Sequence, residues 1–292
     1  MSEGDTESVG ARVFVALQYL LPQHLLSQLA HQLTRSRLPW FKNLLIRSFM
    51  SEYRPDLSEA VDSNPLAYES FNAFFTRGLR EGARPLPPEE SALVSPVDGS
   101  VSQAGPLDGS WLVQAKGIAY TLESLLASDT WAQGFRGGTF ATLYLAPTNY
   151  HRVHMPAAGT LRAAWYVPGA LFSVNTATAA GVPGLFARNE RLVCVFGEGP
   201  QSFALVLVGA LLVGSMSTVW HGEVTPRSPR RRIELPLDST RAALTLARGA
   251  EMGRFNMGST VIVVLPPGRA KWRDDLLPGT AVRMGERLGE LT

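Results

Sequence analysis

From Thr139 onward the sequence is cut into short apolar or alternating runs separated by glycine and proline, and this punctuation constrains the fold more than any other feature. The runs are Thr139 to Leu145, Gly159 to Val167, Leu192 to Phe196, Phe203 to Val213, Arg232 to Leu237 and Thr260 to Leu265. Branched and aromatic side chains dominate them, and such side chains suit a pleated surface. Phe203 to Val213 is apolar throughout, which predicts a strand buried on both faces, and it is too short to cross a bilayer. We expect an α+β fold with a predominantly antiparallel β core, sandwich or barrel-like, and few helices around it.

The N-terminal region follows a different period. Val13, Leu17, Leu20, Leu21, Leu25, Leu29 and Leu33, then Trp40, Phe41, Leu44, Leu45 and Phe49, recur at roughly helical spacing. Interleaved are Arg12, Arg35, Arg37, Lys42, Arg47 and Arg54, opposed only by Glu52. Basic amphipathic helices with aromatic residues settle in a membrane interface and favour anionic lipid, each basic residue adding roughly 1 kcal/mol. The same pattern also fits ordinary helices packed on a core. No stretch reaches the roughly 18 to 20 uninterrupted apolar residues of a spanning helix, because Pro22, Gln23 and Pro39 intervene. The acidic opening Met1 to Glu7 lacks the basic start of a secretory signal. Residues 52 to 65 read as a linker, dividing a helical region, 1–65, from a larger unit, 66–292. Short helices are expected over Ala67 to Thr76 and over Thr121 to Ala127, the second capped by Thr121.

Chemistry enters with Gly258-Ser259-Thr260 at the mouth of the last apolar run. A serine after glycine can attack its own preceding carbonyl, since glycine admits the strained conformations required. The bland alternative is a turn leading into a strand. Two distant segments supply what an activated serine needs: Ser95-Pro96-Val97-Asp98-Gly99 carries a carboxylate in a turn, and Tyr150 to Pro156 carries His151 and His154. A histidine takes the hydroxyl proton, an aspartate orients the imidazolium, and their order along a chain is free. His-x-x-His also fits a metal site on a helical backbone, but no cysteine or carboxylate cluster stands nearby, so no metal is expected. His24, His31 and His221 are assigned no catalytic role. Arg227, Arg230, Arg231 and Arg232 form a basic cluster that reads as a solvated loop or as a contact for lipid phosphates. The net charge of +2 does not suggest a nucleic-acid partner, and the single cysteine, Cys194, reads as a core residue.

Taken in order, Phe71 to Arg77, Ser95 to Gly99, Gln114 to Gly117, Tyr150 to Pro156, Tyr166 to Gly169, Leu171 to Asn175, Leu185 to Arg191 and Glu251 to Val261 resemble the bacterial phosphatidylserine decarboxylase proenzymes. The resemblance covers essentially the whole chain, with Met257 where the family's cleavage motif has leucine. It implies that Ser259 attacks the Gly258 carbonyl, with His154 as base and Asp98 holding that histidine. β-Elimination then cuts the chain at the resulting ester and leaves a dehydroalanine at the former Ser259, which hydrolyses with loss of ammonia to a pyruvoyl group, where the substrate amine forms a Schiff base. The products would be fragments 1–258 and 259–292, held together as a heterodimer that could oligomerise further. The resemblance implies pyruvate as the cofactor, phosphatidylserine as the substrate, phosphatidylethanolamine and carbon dioxide as products, and an anionic membrane surface as partner. It also implies a peripheral location on the cytoplasmic side of the cell membrane. His151 is the candidate for positioning substrate or donating a proton, and Ser173 and Asn175 for lining the substrate pocket. The rivals are a relative acting on another serine-headed lipid or a small amino acid, and a non-catalytic lipid-binding β module.

Overall fold

The computed structural model describes residues 9–212, 215–226, 230–237, 243–256 and 259–292. Among them the dominant element is a nine-stranded antiparallel sheet. Its order is Ile233–Glu234, Gly159–Val167, Arg191–Phe196, Phe203–Val208, Thr260–Leu265, Thr139–Tyr144, Gly99–Pro106 and Ala281–Val282, with Thr245–Leu246 also paired to Gly159–Val167. The ends of this order do not pair with each other, so the sheet is not a closed barrel. Every residue of Arg191–Phe196, Phe203–Val208 and Thr260–Leu265 is buried, as continuous apolar runs require when both faces of a sheet are covered. Cys194 lies in this core.

Two expected strands are shorter than their apolar runs. Phe203–Val208 is prolonged only by Gly209, whose N–H donates to the Glu190 carbonyl at 2.8 Å in the same register. Leu212 then takes a φ of 65° and donates its N–H to Ser27 Oγ at 3.2 Å, while Val213 lies outside the described residues. In the other run only Ile233–Glu234 pairs, and Arg227 lies outside the described residues.

A four-stranded sheet, ordered Gly222–Glu223, Met216–Thr218, Glu251–Phe255 and Arg152–His154, brings the histidine segment beside the chain that leads to Ser259. Ala92–Val94, Arg287–Leu291 and Ala270–Trp272 form a third sheet. Thr121 caps Leu122–Leu126 as its sequence implies, its hydroxyl accepting from Ser124 N at 3.2 Å.

Three helices precede these sheets: α1 (Val9–Leu20), α2 (Gln23–Thr34) and α3 (Pro39–Tyr53). In α1 and α2 the polarity runs opposite to that of an ordinary surface helix. Gln18, Gln23, Ser27 and Thr34 are buried, whereas Leu17, Leu20, Leu21, Leu25, Leu29 and Leu33 are exposed, Leu20 to 82%. The inward polar groups are satisfied by the core backbone, because a buried amide without a partner would oppose docking. Gln18 Oε1 accepts from Ser173 N and Gln23 Oε1 from Leu171 N, both at 2.7 Å. No helix among the described residues is long and apolar enough to cross a membrane.

The third helix is tied down by conventional packing. Its Ile46 and Phe49 form a small core with Phe71, Phe74 and Phe75 of α4 (Phe71–Phe75), a helix shorter than expected and capped by Ser70. The intervening segment is pinned rather than loose. Glu59 binds Arg84 at 2.7 Å and Arg283 at 2.6 Å, and Ala60 bridges to Leu79. Phe74 is fully buried among Phe49, Phe71 and Tyr68. Phe74→Ala should therefore cost about 3 to 5 kcal/mol, read as a lower midpoint in chemical denaturation.

Candidate active site

Ser259 sits immediately before the central strand Thr260–Leu265, which is paired on both edges by Phe203–Val208 and Thr139–Tyr144. Its carbonyl accepts from Leu145 N at 2.9 Å, so its backbone continues the ladder by one residue. Its side chain is 0% exposed, and among the described residues Oγ has no hydrogen-bond partner. Ser259 is one of the residues lining a cavity of about 230 Å³ whose walls also include Phe49, Tyr53, Phe75 and Tyr144. The aromatic residues of α3 and α4 thus cover the serine. Gly258 and Met257 lie outside the described residues.

The structure gives His151 and His154 different surroundings. His151 is 0% exposed, with its ring 4.1 Å from that of Phe75. Its Nδ1–H donates to the Asn149 carbonyl at 2.7 Å, which leaves the lone pair on Nε2, and Nε2 is buried without a partner. Burial pushes the pKa of His151 down to about 3; the Asn149 carbonyl opposes the shift and the Arg77 charge reinforces it. His154 lies at the end of the strand Arg152–His154. Its Nδ1–H donates to the Gly249 carbonyl at 2.8 Å, and its Nε2 accepts from the Tyr150 hydroxyl at 2.9 Å. Burial lowers its pKa as well, against the Gly249 carbonyl and the charges of Glu251 and Asp98. Tyr150 is pushed up to about 12 by burial and stays a neutral donor.

Asp98 reaches His154 only through space. Both of its oxygens are held by Arg84, Nε to Oδ1 at 3.0 Å and Nη2 to Oδ2 at 2.5 Å, and Oδ1 also accepts from Met284 N at 2.8 Å. In this arrangement Gly249 fixes the His154 tautomer, and Asp98 contributes its field. Ser173 and Asn175 both line the Ser259 cavity. The Asn175 carbonyl oxygen is committed to capping Thr176–Gly181, accepting from Thr178 N at 3.0 Å and Thr178 Oγ1 at 3.1 Å, so its NH₂ is the part left for a ligand.

Three residues that sequence reasoning passed over complete the surroundings. Arg84 holds Asp98 and Tyr150 holds His154, as described. Arg77 is only 4% exposed, donates from Nη2 to the Thr148 carbonyl at 3.2 Å, and has no partner for Nε or Nη1. Tyr150 and Arg77 stand at the ends of motif segments, a signal that could have found them; Arg84 has none, because its partner is distant in sequence. Among the described residues no group of three His, Cys, Asp or Glu side chains is arranged to hold a metal ion.

The depressed pKa of His151 has a consequence for stability. Between about pH 6.5 and 3 the unfolded chain protonates this imidazole while the folded one does not, so stability falls as pH drops through that window. The slope from one such group approaches about 1.4 kcal/mol per pH unit. Denaturation midpoints measured across this range should decline with falling pH, and His151→Gln should flatten the decline.

Comparison with known proteins places the chain in a family. The family model described as phosphatidylserine decarboxylase matches residues 71–290, and a second, described as PSD, matches residues 13–54. A phosphatidylserine decarboxylase proenzyme of Methylococcus capsulatus is 53% identical over 279 residues, covering 95% of this chain and 96% of that protein. Proenzymes of the same description from Pseudomonas fluorescens and Azotobacter vinelandii are 53% and 50% identical, with coverage of 95% and 96% of this chain and 97% and 98% of theirs. With both the catalytic-site segments and the N-terminal helices inside the matched regions, the chain belongs to the phosphatidylserine decarboxylase family.

Proposed function

We propose that this protein decarboxylates phosphatidylserine to phosphatidylethanolamine at a membrane surface, after cutting itself between Gly258 and Ser259. The observation that carries the reading is the Ser259 hydroxyl, buried and unpartnered among the described residues, on a residue lining an aromatic cavity. A buried polar atom left unsatisfied calls for an explanation, and consumption by a reaction provides one. The site fits a pyruvoyl group, since converting this side chain to a ketone would remove a hydroxyl that makes no hydrogen bond. Such a group supplies an electrophile for the substrate amine and a sink for the electrons released with carbon dioxide.

We assign the remaining roles as follows. His154, kept neutral by burial, is the base for the Ser259 proton once the Tyr150 hydroxyl releases Nε2. Asp98, steadied by Arg84, favours the imidazolium that forms. His151 presents an unpartnered Nε2 next to Phe75 and is suited to accept a hydrogen bond from the substrate, while a proton delivered from it must first be acquired. Arg77, charged and short of partners, suits the anionic headgroup of the substrate. The aromatic walls exclude water around the reacting centre.

Membrane attachment is supported by the reversed polarity of α1 and α2. Their exposed leucines, continued by Leu38, Trp40 and Leu44, form an apolar face, while their polar side chains are spent on the core. A lipid surface is the occupant that such a face beside a lipid-processing site requires. The cytoplasmic leaflet, rich in anionic lipid, suits the basic residues interleaved with it. After cleavage, fragment 259–292 would stay attached as one half of a heterodimer, because Thr260–Leu265 lies between two partner strands.

Denaturing gels of purified wild-type protein should show two fragments, and mass spectrometry should find a blocked pyruvoyl start on the shorter one. Ser259→Ala should remain a single inactive band, and His154→Ala and Asp98→Asn should cleave more slowly; an uncut, fully active wild type would overturn the assignment. Leu20→Glu with Leu25→Glu and Leu29→Glu should weaken sedimentation with anionic vesicles while leaving the denaturation midpoint nearly unchanged, since surface substitutions shift stability by roughly 0.5 kcal/mol or less.

A further inference from the structure

The inner face of α2 ends in a hydrogen-bonded chain that leads to the predicted scissile link. In its last turn and at its C-cap, His31 Nε2 and Arg35 Nη2 meet the same oxygen, Glu223 Oε1, at 2.9 and 2.5 Å. Glu223 lies on the outer strand of the four-stranded sheet. Ser215 donates its hydroxyl to that same oxygen and accepts from Arg35 Nη2 at 3.3 Å and from Asn256 Nδ2 at 2.7 Å. Asn256, buried two residues before Gly258, is then fastened through each of its side-chain polar atoms and its N–H. Its Nδ2 also donates to Ser217 Oγ at 3.2 Å, its N–H donates to the Ser215 carbonyl at 3.0 Å, and its Oδ1 accepts from Asn72 Nδ2 at 3.3 Å.

The position of Asn256 gives this chain its meaning. The strand Glu251–Phe255 ends one residue earlier, so β-pairing alone does not hold Asn256. On the far side of the link, the Ser259 carbonyl is fixed by Leu145 N at 2.9 Å. Only Met257 and Gly258 separate the two anchors in sequence, so where the anchors are held bears on the geometry of the attack. A hydroxyl attacking the adjacent carbonyl depends on that geometry, and a small misplacement costs rate.

We propose that the C-terminal end of α2 positions the scissile link through Arg35, Glu223, Ser215 and Asn256, so that correct seating of the N-terminal helices on the core sets the rate of self-cleavage. The proposal rests on the self-cleavage reading above. It makes the helix that bears exposed leucines on one side a support for Asn256 on the other. Arg35, Glu223, Ser215 and Asn256 are positioning residues, since none of them supplies the attacking or proton-accepting atom.

Pulse-chase of the full chain in cell-free translation reads the cleavage rate directly. Asn256→Ala and Glu223→Gln should each slow cleavage by about tenfold, the worth of one hydrogen bond lost from the reacting geometry. The double variant should be no slower than the slower single one, because both break the same path. Arg35→Lys, which keeps the charge, should cleave faster than Arg35→Ala. The same substitutions placed in uncleaved Ser259→Ala protein should lower its denaturation midpoint only modestly and keep one cooperative transition with the parent's circular-dichroism spectrum, separating positioning from loss of the fold. Cleavage within twofold of wild type in both single variants, additive slowing in the double, or slowing accompanied by loss of that cooperative transition would each overturn the proposal. If the wild-type chain itself never cleaves, the underlying reading fails instead.

Discussion

The pairing of Thr260–Leu265 on both edges is the constraint from which the rest of the site follows. A strand hydrogen-bonded on two sides and buried on two faces cannot shift register without turning its side chains over, so the residue at its mouth is held in one place. Ser259 is that residue. The aromatic cover from α3 and α4 is arranged around a point that the large sheet fixes, with the histidine segment on the neighbouring sheet.

Two kinds of packing hold the N-terminal helices, and they divide the labour. The third helix is anchored by a small aromatic core, which is non-directional and tolerant of small shifts. The first two are anchored by directional hydrogen bonds from Gln18, Gln23 and Ser27 to core backbone groups, which specify one seating and little else. This division leaves their apolar side chains free to face outward without loss of docking.

Much of this architecture could be read from the residues. The alternation and length of the apolar runs gave the antiparallel core, because burial on both faces demands uninterrupted Val and Leu in strands such as Arg191–Phe196. Strand ends were less legible: the run after Phe203 stays apolar to Val213, yet its last leucines line a cavity, a choice made by Ser27 from a distant helix. Of the residues found by motif, Ser259, Ser173 and Asn175 line one cavity, His151 sits against its wall at Phe75, and His154 and Asp98 are not among its lining residues. What motif could not convey was partnership. Arg84 on Asp98, Gly249 on His154 and Asn256 on Ser215 are contacts between remote segments, and nothing local in the chain records them. The outward direction of the leucines in α1 and α2 was equally hidden, since helical periodicity marks a face without saying which way it turns.

The doubly paired strand also bears on how the two pieces could ever be assembled. A break just before it would leave the short piece woven into the middle of a sheet, its ladder bonds shared with strands from both halves of the long one. Such a piece would have no open edge at which to dock, so, should the cut proposed above occur, folding of the whole chain before it would be the direct route to this pairing.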